Sequence, residues 1–79
     1  MKMEIKYCTS WGYLARAVSV ADIFSNKYGS NFESEFVPSS GGVFEITLDG
    51  KLVYSKQKTG RFPEKKDIEA IMAGIDSNK

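Results

Sequence analysis

The stretch Met3-Glu4-Ile5-Lys6-Tyr7-Cys8-Thr9-Ser10-Trp11-Gly12-Tyr13 decides how this chain folds. Met3, Ile5 and Tyr7 alternate with Glu4 and Lys6, the two-residue period of a half-buried strand. Thr9, Ser10 and Gly12 are turn and cap residues. Beyond them Leu14, Ala17, Val18, Ala21, Phe24 and Tyr28 recur at helical spacing, with Arg16, Ser19, Asp22, Ser25 and Lys27 on the other face. This pattern predicts an amphipathic helix of about four turns, which Gly29 is placed to end. Cys8 therefore sits between a strand and the N-terminus of a helix.

Outward from that unit, Phe32, Ser34 and Phe36 alternate with Glu33, Glu35 and Val37 and predict a second strand. Pro38 is expected to stop it, because proline cannot donate to a ladder. Ser39-Ser40-Gly41-Gly42 reads as a loop. Val43–Leu48 reads as a third strand with Phe44, Ile46 and Leu48 on one face. Asp49-Gly50 is the strongest hairpin signal in the chain, and Leu52-Val53-Tyr54 continues as a fourth strand. Residues 56–61 read as a basic loop. Pro63 suits the first turn of a second helix, and Glu64 favours the same end through the helix dipole. Ile68, Ile71, Met72 and Ile75 give that helix its apolar stripe. Ser77, Asn78 and Lys79 are expected to fray. The order is β-α-β-β-β-α: a parallel crossover, then an antiparallel hairpin, in one mixed four-stranded sheet with two helices.

With 79 residues, the chain has room for one domain, residues 1–79, and one core. A domain this small buries only about 60–65% of its unfolded surface, so its stability is thin. No internal disulfide can reinforce it, since Cys8 is the only cysteine. A single cysteine also argues against an oxidising, secreted setting. The 11 basic and 10 acidic side chains nearly cancel and give no electrostatic case for nucleic acid. No run of apolar residues approaches the ~20 that a membrane helix needs, and no signal peptide is visible. We expect a soluble, cytoplasmic protein.

The sequence excludes more chemistry than it offers. There is no histidine, so neither a zinc site nor a Cys–His nucleophile pair is available. No glycine motif cradles a phosphate between a strand and a helix. Glu33, Glu35 and Glu45 alternate along strands and read as solvent faces. Cys8 remains. Backbone N–H groups at a helix N-terminus favour a thiolate and can lower a cysteine pKa from ~8.5 to as low as ~3.5. Thr9 and Ser10 can add cap or thiolate hydrogen bonds. The competing reading is a small buried filler at a strand end, since free cysteine is among the most buried residue types.

Four segments now resemble a known family. Tyr7-Cys8-Thr9-Ser10-Trp11-Gly12-Tyr13 resembles the Tyr-Cys-x-x-(Cys or selenocysteine)-Gly-Tyr segment of the selenoprotein W-like (Rdx) proteins. Gly41-Gly42-Val43-Phe44-Glu45-Ile46 is similar to their Gly-Gly-x-Phe-Glu segment. Asp49-Gly50-Lys51-Leu52-Val53-Tyr54-Ser55-Lys56 and Gly60-Arg61-Phe62-Pro63-Glu64 are similar to their hairpin and last-helix entry. The resemblance implies a thioredoxin-like fold and thiol or selenol redox chemistry with glutathione or a protein thiol. It makes Cys8 the first residue of the redox pair and puts Trp11 at the second position, where the family has cysteine or selenocysteine. Trp11 has no sulfur. Either tryptophan is native and the pair has been lost or repurposed, or the codon is UGA, one base from UGG, and position 11 natively carries selenium.

The same fold brings Ser40, Gly41 and Gly42 near Cys8, where paired glycines allow close approach of glutathione or a peptide. Thr9, Ser10, Gly12 and Tyr13 complete the expected substrate-binding loop. Lys56, Lys58 and Arg61 form a basic stretch that reads first as solvated, with donors for a glutathione carboxylate as the alternative. Two functions follow. One is a redox module in which Cys8 forms the mixed disulfide and position 11 carries the missing attacking group. The other is a non-catalytic interaction module that uses Trp11, Tyr13 and the glycine loop to bind a partner, since tryptophan is enriched at interface hot spots.

Overall fold

Strand β1 (Lys2–Cys8) is the spine of the computed structural model, which describes residues 1–77. It pairs in parallel with β2 (Glu33–Ser39) on one side and antiparallel with β3 (Phe44–Leu48) on the other. β3 pairs antiparallel with β4 (Lys51–Ser55), giving the order β2-β1-β3-β4. Helix α1 (Tyr13–Tyr28) connects β1 to β2, followed by a 3-10 turn at Gly29–Asn31. A short helix α2 (Lys56–Thr59) follows β4, and α3 (Lys65–Ser77) ends the described chain. The mixed four-stranded sheet and its helices make the fold thioredoxin-like, as expected.

The register explains the alternation in β1. Met3 faces Leu48 and Ile5 faces Ile46 across the β1–β3 ladder, and all four are buried. Phe24, Phe44, Met3, Ile5 and Ile46 are the largest fully buried side chains. Each such side chain contributes roughly 1.5–3 kcal/mol relative to exposure. Ala17, Val20 and Ala21 of α1 and Ile68 and Met72 of α3 close the same core, with Ile71 and Ile75 packed at its margin. The Asp49-Gly50 hairpin turns with positive φ at both residues, 47° and 85°, the type I′ geometry that suits a twisted two-residue hairpin. Asp49 also ties the turn to β1: its carboxylate accepts the Lys2 N–H at 2.8 Å.

Several local expectations need correction. Pro38 does not stop β2, which runs on through Ser39. β2 is an edge strand, and an edge tolerates proline where the missing donor would have faced away from the ladder. Leu14 and Val18 lie on the exposed side of α1 at 46% and 40% exposure, while Tyr13 and Val20 take the buried positions. Val43 precedes β3 instead of opening it, though it is buried. Residues 56–61 are not a plain loop. Lys56–Thr59 winds into one helical turn, closed by Gly60 with φ 79°. The Thr59 hydroxyl donates to the Ser55 carbonyl at 3.1 Å and meets the Tyr54 hydroxyl at 2.9 Å. Pro63 lies before α3, not within its first turn. Ser77 is still helical, and Asn78 and Lys79 lie outside the described residues. Among the described residues no helix is long and apolar enough to cross a membrane.

Candidate functional site

The β1 end and the loop 9–12 build the site. Cys8 is the last residue of β1. Its N–H donates to the Val43 carbonyl at 2.9 Å, and the Thr9 N–H donates to the Ser39 carbonyl at 3.1 Å. These two bonds carry β1's pairing past its end and hold the 40–43 loop against the 9–12 loop. Ser40 and Gly41 are exposed, and Gly41 and Gly42 both have positive φ, at 79° and 72°. That conformation is one that glycine adopts without the steric penalty of a Cβ.

The sulfur stands between β1 and α1 as expected, and it takes the buried of the two alternatives. Cys8 is 3% exposed and belongs to the core cluster, so it is less open to attack than a reactive thiol on a loop. The first turn of α1 starts only at Tyr13, behind a Gly12 in the left-handed region with no side-chain cap bond. Loop amides do what the helix end was expected to do. The backbone N–H of Ser10 and then that of Gly42 hold the Cys8 thiol below its ordinary range, against the opposing effect of burial. The Ser10 hydroxyl and the Lys56 charge act in the same direction. The thiolate is the nucleophilic form, so the sulfur is activated and enclosed together.

Trp11 is the reverse. It is 83% exposed and has φ 58°, an uncommon backbone region for a bulky side chain. It does not pack down over α1 as a cap. Its nearest ring is that of Tyr13, at 6.4 Å between centroids. The pair of positions, 8 and 11, thus divides into an inner one and an outer one.

Tyr13 links the loops. It is buried, and its hydroxyl lies 3.6 Å from the place a Cβ on Gly42 would occupy. Its ring meets Phe62 edge-on at 4.8 Å, and Phe62 meets Phe44 in the same way at 5.3 Å. Lys56 reaches this cluster, with Nζ 5.9 Å from the Tyr13 ring and 5.5 Å from the Phe62 ring. Arg16 lies over Phe62 at 4.2 Å. The expected basic stretch therefore splits. Lys56 turns toward the cysteine loop, whereas Arg61 pairs with both oxygens of Asp67 and with Glu64. Sequence reasoning did not bring Arg16 and Phe62 to the site, reading Arg16 as helix surface and Phe62 as part of the entry to the last helix; the two meet only in the folded chain. Of the expected residues, Ser10, Tyr13 and Gly42 gather at Cys8. The Thr9 hydroxyl is not among the groups acting on the sulfur.

A thioredoxin-like sheet with a cysteine at the end of β1 and a short loop into α1 defines a class of redox-related proteins. Residues 2–73 match the model of the Rdx family, and the chain belongs to that family. It is 37% identical over 73 residues to migration and invasion enhancer 1 of Bos taurus, an overlap of 90% of this chain and 62% of that protein. It is 27% identical over 79 residues to selenoprotein W of Danio rerio, covering 96% and 92% of the two chains. The chain spans 62% and 58% of the lengths of the bovine and mouse migration and invasion enhancer 1 proteins. A solved structure from Bordetella parapertussis superposes with a TM-score of 0.83 at 31% identity, over 92% of this chain and 94% of that one. The selenoprotein W-related protein from Vibrio cholerae shares the fold, with a TM-score of 0.76 at 23% identity, over 89% and 94%. Family membership supports a redox-related, thioredoxin-like protein.

Proposed function

We propose that this chain is a thiol- or selenol-exchange protein acting with glutathione or protein thiols, in which position 11 is the outer, attacking position and Cys8 the inner one. One contrast carries the reading: Trp11 is 83% exposed and Cys8 is 3% exposed, with the pKa of the inner thiol lowered by the N–H groups of Ser10 and Gly42. With a thiolate or selenolate at position 11, attack on a disulfide RSSR forms a mixed disulfide and releases RS⁻. The Cys8 thiolate then attacks the sulfur or selenium at position 11, releases the second RS⁻ and leaves an internal bond. Two electrons pass from the chain to RSSR. Two further thiols reverse the cycle. With tryptophan at position 11 neither the first attack nor the internal bond is available. Cys8 alone can exchange once, RSSR giving Cys8–S–SR and RS⁻, at a rate limited by its burial.

The test is Trp11→Cys. Titrated with oxidised glutathione, this variant is expected to lose two hydrogens as an internal 8–11 disulfide, while the parent gains at most one glutathionyl group. A variant that takes up glutathione at both cysteines and never closes the bond removes the inner–outer reading. Sequencing codon 11 in the native genome tests the origin of the tryptophan: UGG makes it native and removes the selenocysteine origin.

The second reading, a binding module, is favoured by one observation. Trp11 in the loop before α1, and Leu14 and Val18 on α1, are all exposed large apolar side chains. A peptide-binding screen in which Trp11→Ala changes nothing counts against it.

A further inference from the structure

Arg16 and Lys56 share one aromatic ring, and among the described residues neither makes an ion pair. The Arg16 guanidinium carbon lies 4.2 Å and the Lys56 nitrogen 5.5 Å from the centre of the Phe62 ring. Among the described residues the ion pairs engage Lys2, Lys27 and Arg61, and no carboxylate pairs with Arg16 or Lys56. Aromatic faces hold both side chains in place while leaving their charges available. The two cations also neighbour the loop that holds the sulfur, and the Lys56 charge acts on Cys8 itself. Phe62 packs on Tyr13 at 4.8 Å, the Tyr13 hydroxyl lies 3.6 Å from where a Cβ on Gly42 would stand, and the Gly42 amide acts on Cys8. Beside them a groove of about 840 Å³ runs between α1 and α3 from Gly12, the neighbour of position 11. That volume lies within the range of about 300–1,000 Å³ typical of small-ligand clefts. Arg16, Phe62, Lys65 and Glu69 line it, two cations against one carboxylate.

We infer that Arg16 and Lys56 are specificity-determining residues that seat the carboxylates of a small anionic disulfide, of the glutathione class, beside position 11. This rests on the exchange reading above and adds the charge class of its substrate. The exchange step is unchanged: one S–S bond breaks, one forms, and RS⁻ leaves. A guanidinium and an ammonium act here at the carboxylates, away from the reacting sulfur, by charge-assisted hydrogen bonds and by raising the local concentration of anions.

The experiment uses Trp11→Cys, whose outer thiol bypasses the burial of Cys8. Its rate of thiol release is measured with oxidised glutathione (anionic), hydroxyethyl disulfide (neutral) and cystamine (cationic). Each rate is divided by that of the same disulfide with a free small thiol, which removes intrinsic reactivity. The normalised rate with oxidised glutathione is expected to exceed that with cystamine by about tenfold, and the ratio should shrink in high salt as screening shortens to ~3 Å. Adding Arg16→Gln and Lys56→Gln together should bring the ratio to within about twofold, and Arg16→Glu with Lys56→Glu should reverse it. Lys51→Gln, an exposed lysine at the hairpin end of the sheet, away from Cys8, should leave it unchanged. If circular dichroism shows that a double variant has not folded, the two single Gln variants take its place, each expected to remove part of the ratio. Equal normalised rates for all three disulfides overturn the anion preference, and a ratio that survives the Gln substitutions overturns its assignment to Arg16 and Lys56; either result leaves the exchange chemistry standing. No reaction with any of the three overturns both.

Discussion

The backbone N–H of Gly42 stabilises the thiolate of Cys8, while the N–H of Cys8 donates to the carbonyl of Val43, the residue after Gly42. The cysteine and the glycine loop therefore hold each other, and the thiol's acidity reports on both. The pH dependence of Cys8 alkylation in the folded chain is expected to have its midpoint below the ordinary ~8.5 of a free thiol. The plateau rate should be slower than that of a free thiol, because the sulfur is 3% exposed. The sign for stability follows from the lowered pKa. Above the unfolded pKa the full increment is present, and it disappears as the pH falls through the folded pKa. Urea midpoints should rise across that window in the parent and stay flat in Cys8→Ser. An alkylation midpoint at or above the ordinary value means the amides do not act on the sulfur.

Gly42→Ala separates the backbone from the space around it. An alanine Cβ there would lie 3.6 Å from the Tyr13 hydroxyl, an ordinary contact, so crowding is not the difficulty. The difficulty is φ 72°, which costs an L-residue about 1–2 kcal/mol. Urea unfolding should show a loss of that order, and the Cys8 pKa should rise as the amide shifts. Gly41→Ala, with φ 79° and nothing within 4 Å, should lose similar stability. Its amide is not among the groups on the sulfur, so the thiol pKa should hold. Equal pKa changes in the two variants would mean that the loop moves as a whole.

Trp11 holds a left-handed backbone with φ 58° and buries almost nothing in return. Trp11→Gly removes the steric penalty of that conformation while giving up little packing. It is expected to be neutral or to stabilise the chain by up to about 1 kcal/mol, the smaller part of the left-handed penalty remaining after glycine's own entropy loss. A clear loss of stability in denaturant would show that the indole packs on Tyr13 more tightly than a 6.4 Å ring separation implies.

What the sequence made legible is local and periodic. The Met3–Tyr7 alternation, the Asp49-Gly50 turn and the Ile68–Ile75 stripe each rest on backbone geometry that neighbouring residues impose. The errors arise where a distant partner chooses between two locally equal options. Helical spacing allows Leu14 or Tyr13 to face inward, and Phe62 decides for Tyr13 by packing against its ring. Pro38 ends a central strand but not an edge strand, and edge position is a property of the whole sheet. The site divides in the same way. Cys8, Ser10, Trp11 and Gly42 stand in recognisable segments. The burial of the sulfur depends on strands that pack around it from elsewhere in the chain, and Lys56 joins the site only because residues 56–59 wind into a helical turn.

Asp67 shows how the last helix is fastened to that turn. Its carboxylate pairs with both terminal nitrogens of Arg61, and one oxygen also accepts the Glu64 N–H at 2.8 Å at the start of α3. Arg61 in turn donates to the Tyr54 hydroxyl at 3.3 Å, and that hydroxyl donates to the Arg61 carbonyl at 2.7 Å. One carboxylate thus caps α3 and holds the segment that places Phe62. The Arg61 hydrogen bonds, followed by the Glu64 N–H, hold the Asp67 carboxyl below the usual carboxylate range. Its stabilisation is therefore complete above the ordinary carboxylate pKa and is lost as the pH falls through the lowered one. Asp67→Asn keeps the shape and removes the charge. Near neutral pH it should lower the urea midpoint, and the difference from the parent should close as both are acidified. Because the same pairing positions Phe62, the variant should also weaken the contact of Phe62 with Tyr13. Near-ultraviolet circular dichroism of the tyrosines reads that contact without reference to stability. A variant that matches the parent in urea at neutral pH and keeps the parent's near-ultraviolet spectrum means that Arg61 and Asp67 are a surface pair and that Phe62 is held by the core alone.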